Sequence, residues 1–200
     1  MFKFLINHRI AGQYIFSGLF NTAVHIASGF IILRWLIPSE LGVWQSYIVF
    51  IGYMQILTLG TTSGLNRDLP FLLGKGESEI AIKKLQACGY FIKILSFSLI
   101  AMVSIVGLSL YMSNVWNLRL SIMFILACFI GAMQIQINFL GATFRSAQSF
   151  SKLTFIQLFN SALCIFLLPL VYFFNLWGYI LYQVFLVMFL YLGYHIFRPY

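Results

Sequence analysis

Gln13, Ser17, Asn21, His25 and Ser28 recur every three or four residues within an apolar stretch, so they share one face of a single helix. Gln134, Asn138, Gly141 and Arg145 repeat that spacing later in the chain, and Gln157 and Ser161 begin it a third time. Such amides, hydroxyls and imidazoles serve two kinds of chemistry: hydrogen bonds between packed apolar helices, or the polar lining of a water-filled cavity. His25 is the only histidine deep in an apolar stretch. Its default role is a neutral, hydrogen-bonded ring at a helix contact; the alternative is proton coupling or head-group binding, because imidazole changes charge near neutral pH. Lys93 lies about two turns into another apolar stretch, where it is either a cation snorkelling to the interface or a cation facing a cavity. Arg34 and Arg145 each stand near the end of a stretch, and an interfacial anchor is the simplest role for both.

The missing groups narrow the chemistry further. The four carboxylates are Glu40, Asp68, Glu77 and Glu79, each in a connection or at a stretch end. Without a carboxylate deep in an apolar stretch there is no acidic ion relay, and neither paired carboxylates nor a histidine-carboxylate dyad for catalysis. No GxSxG or GxxxxGK[ST] motif occurs. Cys88, Cys128 and Cys164 lie in or at the edge of apolar stretches, where free cysteine behaves as a small hydrophobe. Their odd number and the lack of a CxxC pair imply neither a disulfide framework nor a metal site. The chain is therefore expected to be neither an enzyme nor a cofactor carrier.

The elements that position these residues are six apolar stretches near 11–36, 41–65, 87–112, 119–143, 153–174 and 177–197. Each reaches the roughly 20 residues needed to cross a hydrocarbon core about 30 Å thick. Hydrophobic residues make up 62% and charged residues 8% of the 200-residue chain, with a mean hydropathy of +0.95, which excludes a water-soluble domain. The expected fold is all-α and polytopic, with residues 1–200 forming one membrane-embedded six-helix bundle and 66–86 a connection within it.

Charge sorts by connection. Lys3, Arg9, Arg67, Lys75, Lys83, Lys84, Arg145, Lys152 and Arg198 fall on one side, against Arg34 and Arg119 on the other. The positive-inside bias then puts both termini in the cytoplasm. Residues 1–9 lack the short apolar core and small-residue cleavage site of a signal peptide, so the first stretch is expected to be retained. The net charge of +8 is spread singly over stretch ends, without the dense basic run of a nucleic-acid surface.

Three local readings complete the elements. In the 66–86 connection, 72–76 reads as a turn, followed by a surface helix that runs into the third stretch with Glu77 and Glu79 in its first turn and Glu79 paired with Lys83. Gly60 and Gly64 form a GxxxG pair suited to close helix approach. Pro169 is placed to kink or break the fifth stretch.

From Arg34 to Trp44 the chain reads Arg-Trp-Leu-Ile-Pro-Ser-Glu-Leu-Gly-Val-Trp, and from Leu57 to Pro70 it reads Leu-Thr-Leu-Gly-Thr-Thr-Ser-Gly-Leu-Asn-Arg-Asp-Leu-Pro. With Arg145-Ser-Ala-Gln-Ser-Phe150 and Leu176-Trp-Gly-Tyr179, these segments resemble bacterial polysaccharide and O-antigen flippases of the MATE-like (MOP) superfamily. The resemblance implies the N-terminal six-helix lobe of a two-lobe, alternating-access transporter in the bacterial inner membrane. The second lobe would be supplied in cis or in trans. Its cargo would be an oligosaccharide on a polyprenyl pyrophosphate carrier, and its partners membrane lipids and the polymerase and glycosyltransferase machinery. On that reading Arg34, Lys93 and Arg145 contact the pyrophosphate, while Gln13, Asn21, His25, Gln134 and Asn138 meet sugar hydroxyls. A cation or drug antiporter of the same superfamily is a competing reading, although such pumps usually carry a carboxylate in their helices and this chain has none there. A non-transporting membrane component of a glycan-assembly complex is the other.

Overall fold

A computed structural model describes residues 2–198, with side chains from Gly12 onward. Lys3 and Arg9, two of the cations that sort topology, have side chains outside the described residues. Six helices follow in order: α1 (Phe2–Trp35), α2 (Pro38–Ile56), α3 (Thr61–Gly74), α4 (Ser78–Met112), α5 (Leu118–Ser146) and α6 (Phe150–Ile196). Four of them, α1, α4, α5 and α6, are long and apolar enough to cross a membrane, and the bent pair α2–α3 makes a fifth when taken as one span. The chain is thus an all-helical protein with the helices of a multi-pass membrane protein.

The helix ends follow from local chemistry. Pro38 opens α2, where its missing N–H costs nothing and its fixed φ suits the first turn. After α3, α4 and α5 the chain closes with paired backbone bonds. Glu77 and Gly76 donate to Leu72 and Leu73, Val115 and Asn114 to Leu110 and Tyr111, and Ser149 and Gln148 to Phe144 and Arg145. In each pair the residue in the left-handed region is Gly76, Asn114 or Gln148, which is the Schellman way of satisfying the last carbonyls. The turn expected at 72–76 is thus centred on Gly76. Beyond it α4 runs unbroken from the surface into the third apolar stretch, with Glu77 at its cap and Glu79 in its first turn.

Two breaks shape the spans, and the first of them departs from the sequence reading. The second stretch, expected to be continuous over 41–65, ends as a helix at Ile56 and resumes at Thr61 with a bend of 46°. Leu59 and Gly60 both take positive φ there, and Gly60 has nothing within 4 Å of the position of a Cβ. Gly60 and Gly64 therefore serve no close helix approach; Gly60 lets the backbone turn. The second break is in α6, whose backbone leaves helical geometry at Asn175, in the gap expected between the fifth and sixth stretches, and not at Pro169.

Beyond Asn175 the chain doubles back. Phe155 meets Phe197, Phe159 meets Phe189, Ile156 covers Gly193 and Cys164 meets Tyr182. This is the register of two antiparallel arms, 150–174 and 176–196, and each exceeds the roughly 20 residues of a membrane crossing. The separate fifth and sixth stretches are thus two arms of one hairpin.

The helices pack as two compact units: Met1–Leu41 with Thr143–Tyr200, and Gly42–Ala142. In the first, α1 runs parallel to the first arm of α6, with Tyr14 against Phe150 and Trp35 against Tyr172. In the second, α5 lies between α2 and α4. It is parallel to α2, through Tyr47 with Leu120 and Phe50 with Phe124, and antiparallel to α4, through Ser96 with Ala132 and Gly107 with Ile125. Small residues of α5 at the contact, Ala127, Gly131 and Ala132, let its backbone come close to its neighbours. Large apolar side chains such as Phe16, Phe30, Tyr90, Ile105 and Phe166 stay exposed, as expected of faces turned to lipid.

Candidate functional site

The polar residues of α1 meet those of α6 in a ladder. Ser17 Oγ donates to Gln157 Oε1 at 2.8 Å, and Ser161 Oγ donates to Asn21 Oδ1 at 2.8 Å. One turn further on, Asn160 Nδ2 lies 3.4 Å from His25 Nε2, and Ser28 Oγ lies 3.2 Å from Cys164 Sγ. Ser17, Ser28, Asn160, Ser161 and Cys164 are buried. A seam of this kind needs polar groups at matching steps on two helices running the same way, and the three-to-four residue spacing on both sides supplies them. Of the two uses open to this face, Ser17, Asn21 and Ser28 take the first: they bond between helices.

Cys164 is the hub. Its sulfur contacts Ser28 Oγ, Tyr182 Oη at 2.8 Å and His25 Nδ1 at 3.9 Å, so three segments converge on one thiol. That environment differs from the inert apolar setting expected of it. Cys128 keeps that setting, its sulfur facing the Leu99 carbonyl at 3.5 Å. All three cysteines are free, and among the described residues no group of three or more His, Cys, Asp or Glu is placed to hold a metal ion.

The residues expected to meet a substrate fall into both units. In the first, Asn21 and His25 belong to the seam, and His25 is also exposed. Gln13 stands one turn before Ser17, exposed and outside the ladder. Arg34 lies in the last turn of α1 and Arg145 in the last turn of α5, both exposed. They mark opposite ends of the seam. Arg34 adjoins Trp35, which meets Tyr172 edge-on, while Arg145 adjoins Phe144, whose ring lies tilted against Tyr194 beside Gly193 and Ile156. A rise of 1.5 Å per residue along the first arm then separates the two by roughly 25 Å. One head group cannot touch both at once.

In the second unit, Asn138 Nδ2 donates to Gln55 Oε1 at 3.2 Å, and Gln55 Nε2 donates to the Gly131 carbonyl at 3.3 Å. Gln134 is half-buried and Lys93 is exposed on α4. The acidic Asp68 pairs with Arg67 and Lys84; the described residues thus engage Lys84 rather than the expected Lys83 with Glu79. A wholly different feature is an apolar cavity of about 530 Å³ beside Phe50, Met54, Leu99 and Phe124.

Several partners escape a reading of spacing alone. Asn160, next to Ser161, and Gln55, alone in an apolar stretch, carry the signal of an amide that needs a partner in lipid. Cys164 and Tyr182 carry none, because both pass for ordinary apolar residues until the hairpin brings them together. No family model, no curated protein and no solved structure matches the chain.

Proposed function

We propose that this chain is one lobe of a transporter that moves a polyprenyl-pyrophosphate-linked oligosaccharide across the bacterial inner membrane, with both termini in the cytoplasm. The observation that carries this reading is the placement of Arg145 and Arg34 at opposite ends of one polar seam, roughly 25 Å apart. An anionic head group would leave the first cation at one face and reach the second at the other. Arg suits the role, since its planar fork binds phosphate oxygens in pairs. On this reading exposed Gln13 and His25 in the first unit, and Lys93, Gln134 and Asn138 in the second, are further substrate contacts.

The helix directions agree with alternating passage. The first and fifth stretches are parallel, the second and fourth parallel, and the third and fourth antiparallel. The second lobe, in cis or in trans, completes the cavity, and polymerase and glycosyltransferase machinery supplies and consumes the cargo. A non-transporting component is the competing reading, favoured by the internal partners of Ser17, Asn21 and Ser28.

The test is glycan export in a strain that lacks its flippase, complemented by the gene carrying Arg34→Gln, Lys93→Gln or Arg145→Gln. A charge-assisted bond is worth about 1.5–3 kcal/mol, so each change should lower export roughly tenfold or more at normal membrane abundance. Undiminished export in all three variants would return the cations to interfacial anchoring and favour the non-transporting component.

A further inference from the structure

The two arms of α6 leave a groove between them that opens away from α1. Phe155, Ile156 and Phe159 on the first arm and Phe189, Leu192 and Phe197 on the second line an apolar cavity of about 280 Å³. Gln157 and Ser161 bond to α1, and Phe155 and Phe159 each stand two residues before one of them, roughly 200° round the helix. The seam and the groove thus occupy different sides of one arm. Phe155, Phe159, Phe189 and Phe197 stay exposed, so the groove lies open along its flank.

Two cations meet at one end of this groove. Lys152 Nζ donates to the Phe197 carbonyl oxygen at 3.4 Å, which brings an ammonium to the peptide bond that begins Arg198, and Phe197 is itself a wall of the groove. Arg198 is half-buried, and its Nε has no hydrogen-bond partner. Within the first unit Glu40 is the only acidic side chain. It follows Trp35, which meets Tyr172 at the far end of the first arm, roughly 30 Å along the helix from Lys152. Like charges held together repel until an anion lies between them.

We propose that this end of α6 is a binding site for an anionic phospholipid of the phosphatidylglycerol type, with its phosphodiester between Lys152 and Arg198 and one acyl chain in the groove. Charge complementarity selects the head group. A phosphodiester presents the acceptor oxygens that an ammonium and a guanidinium need, whereas a zwitterionic head group brings a third cation to a place that already holds two. The groove selects the tail: from Phe197 back to Phe189 the second arm rises roughly 12 Å, which takes the upper part of a single chain and holds it against the four exposed rings. Both cations belong to the side that the Lys and Arg bias assigns to the cytoplasm, and on that orientation the lipid comes from a leaflet rich in anionic head groups. Bound there, it ties the start of the first arm to the end of the second.

The whole protein is placed in nanodiscs of phosphatidylcholine with a small fraction of phosphatidylglycerol that carries a diazirine in one acyl chain. After illumination, labelled residues are mapped by peptide mass spectrometry. Phosphatidylcholine with the same diazirine chain is the comparison. The anionic probe should label 155–159 and 189–197 at least about fivefold more than the zwitterionic probe does. Lys152→Gln and Arg198→Gln should each lower that labelling roughly fivefold, while Lys83→Gln, a change on α4, leaves it unmoved. The native chain decides first: equal labelling of the groove by the two probes overturns the proposal, whatever the variants do to folding. So does labelling that survives both site substitutions, or that falls as far with Lys83→Gln. An unlabelled polyprenyl pyrophosphate should compete no better than unlabelled phosphatidylglycerol; stronger competition would hand the groove to an isoprenoid carrier and overturn the phospholipid assignment.

Discussion

Replacing Gly178 by Ala tests the hairpin that makes two crossings of α6. A Cβ on Gly178 would stand 2.0 Å from the Leu170 carbonyl oxygen, 2.7 Å from its carbon and 3.0 Å from Phe174 Cβ. The two nearest are backbone atoms across the turn at Asn175, so no side-chain rotation relieves the clash. The arms must part by about 1 Å before that Cβ reaches even the 3.0 Å floor of real contacts. Overpacking costs about 1–3 kcal/mol, and an immovable backbone puts this site near 3. Alanine recovers about 1 kcal/mol over glycine in a helix, which leaves a net loss of about 2. At roughly 2–4 °C per kcal/mol for a chain of this size, Tm should fall by about 4–8 °C. Gly131→Ala is the paired control, since its nearest neighbour is the flexible Met54 Sδ at 2.9 Å. A thioether that swings aside costs about 1 kcal/mol, the helix gain cancels it, and Tm should stay within about 2 °C. Both variants are purified in one detergent, heated, and read as the fraction of soluble monomer by size-exclusion chromatography. If Gly178→Ala melts with the parent, or no lower than Gly131→Ala, the antiparallel register of the arms is wrong.

Three further outcomes follow from other parts of the fold. Asn21→Ala and Ser161→Ala should couple in a double-mutant cycle by about 0.6 kcal/mol and at most about 1.7; additive losses would mean that their bond adds nothing to the seam. Gly60→Ala should destabilise by about 1–2 kcal/mol because of its positive φ, whereas Gly64→Ala, with open space around it, should gain about 1; equal melting shifts would refute the broken-helix account. Reporter fusions near Asn114 or Asn175 should signal the exterior and fusions near Lys75 or Ser149 the cytoplasm, and reversed signals would invert the orientation inferred from Lys and Arg.

Hydropathy exposes where helices can cross, because a span must be apolar along its length whatever it packs against. The α1 stripe was legible for a related reason: a polar group in lipid needs a partner, so its spacing survives in the sequence. The gap between the fifth and sixth stretches places the Asn175 turn, while Pro169 stays within the helix. A proline whose freed carbonyl is satisfied nearby stays helical, while Asn175 leaves the helix at φ 50° and ψ −128° and reverses the chain. Gly60 misled for the opposite reason, since a GxxxG spacing is the same string whether it serves packing or a break. The Cys164 contacts lay beyond reach because they depend on which arm faces α1, a matter of tertiary register that no local pattern encodes.

The parallel packing of α1 on the first arm of α6 sets an order of events during biosynthesis. Ser17 and Asn21 leave the ribosome 140 residues before Gln157 and Ser161. At about 5–20 residues per second, α1 waits roughly 7–30 s for them. Through that interval its polar stripe needs temporary company: water held in the insertion channel, lipid head groups, or the flank of an insertase. The longest-lived intermediate of assembly is therefore a helix already in the bilayer whose most polar face is still unmatched. Substitutions along that face, such as Asn21→Leu, would speed its release into lipid while removing the mark by which the last hairpin finds its place.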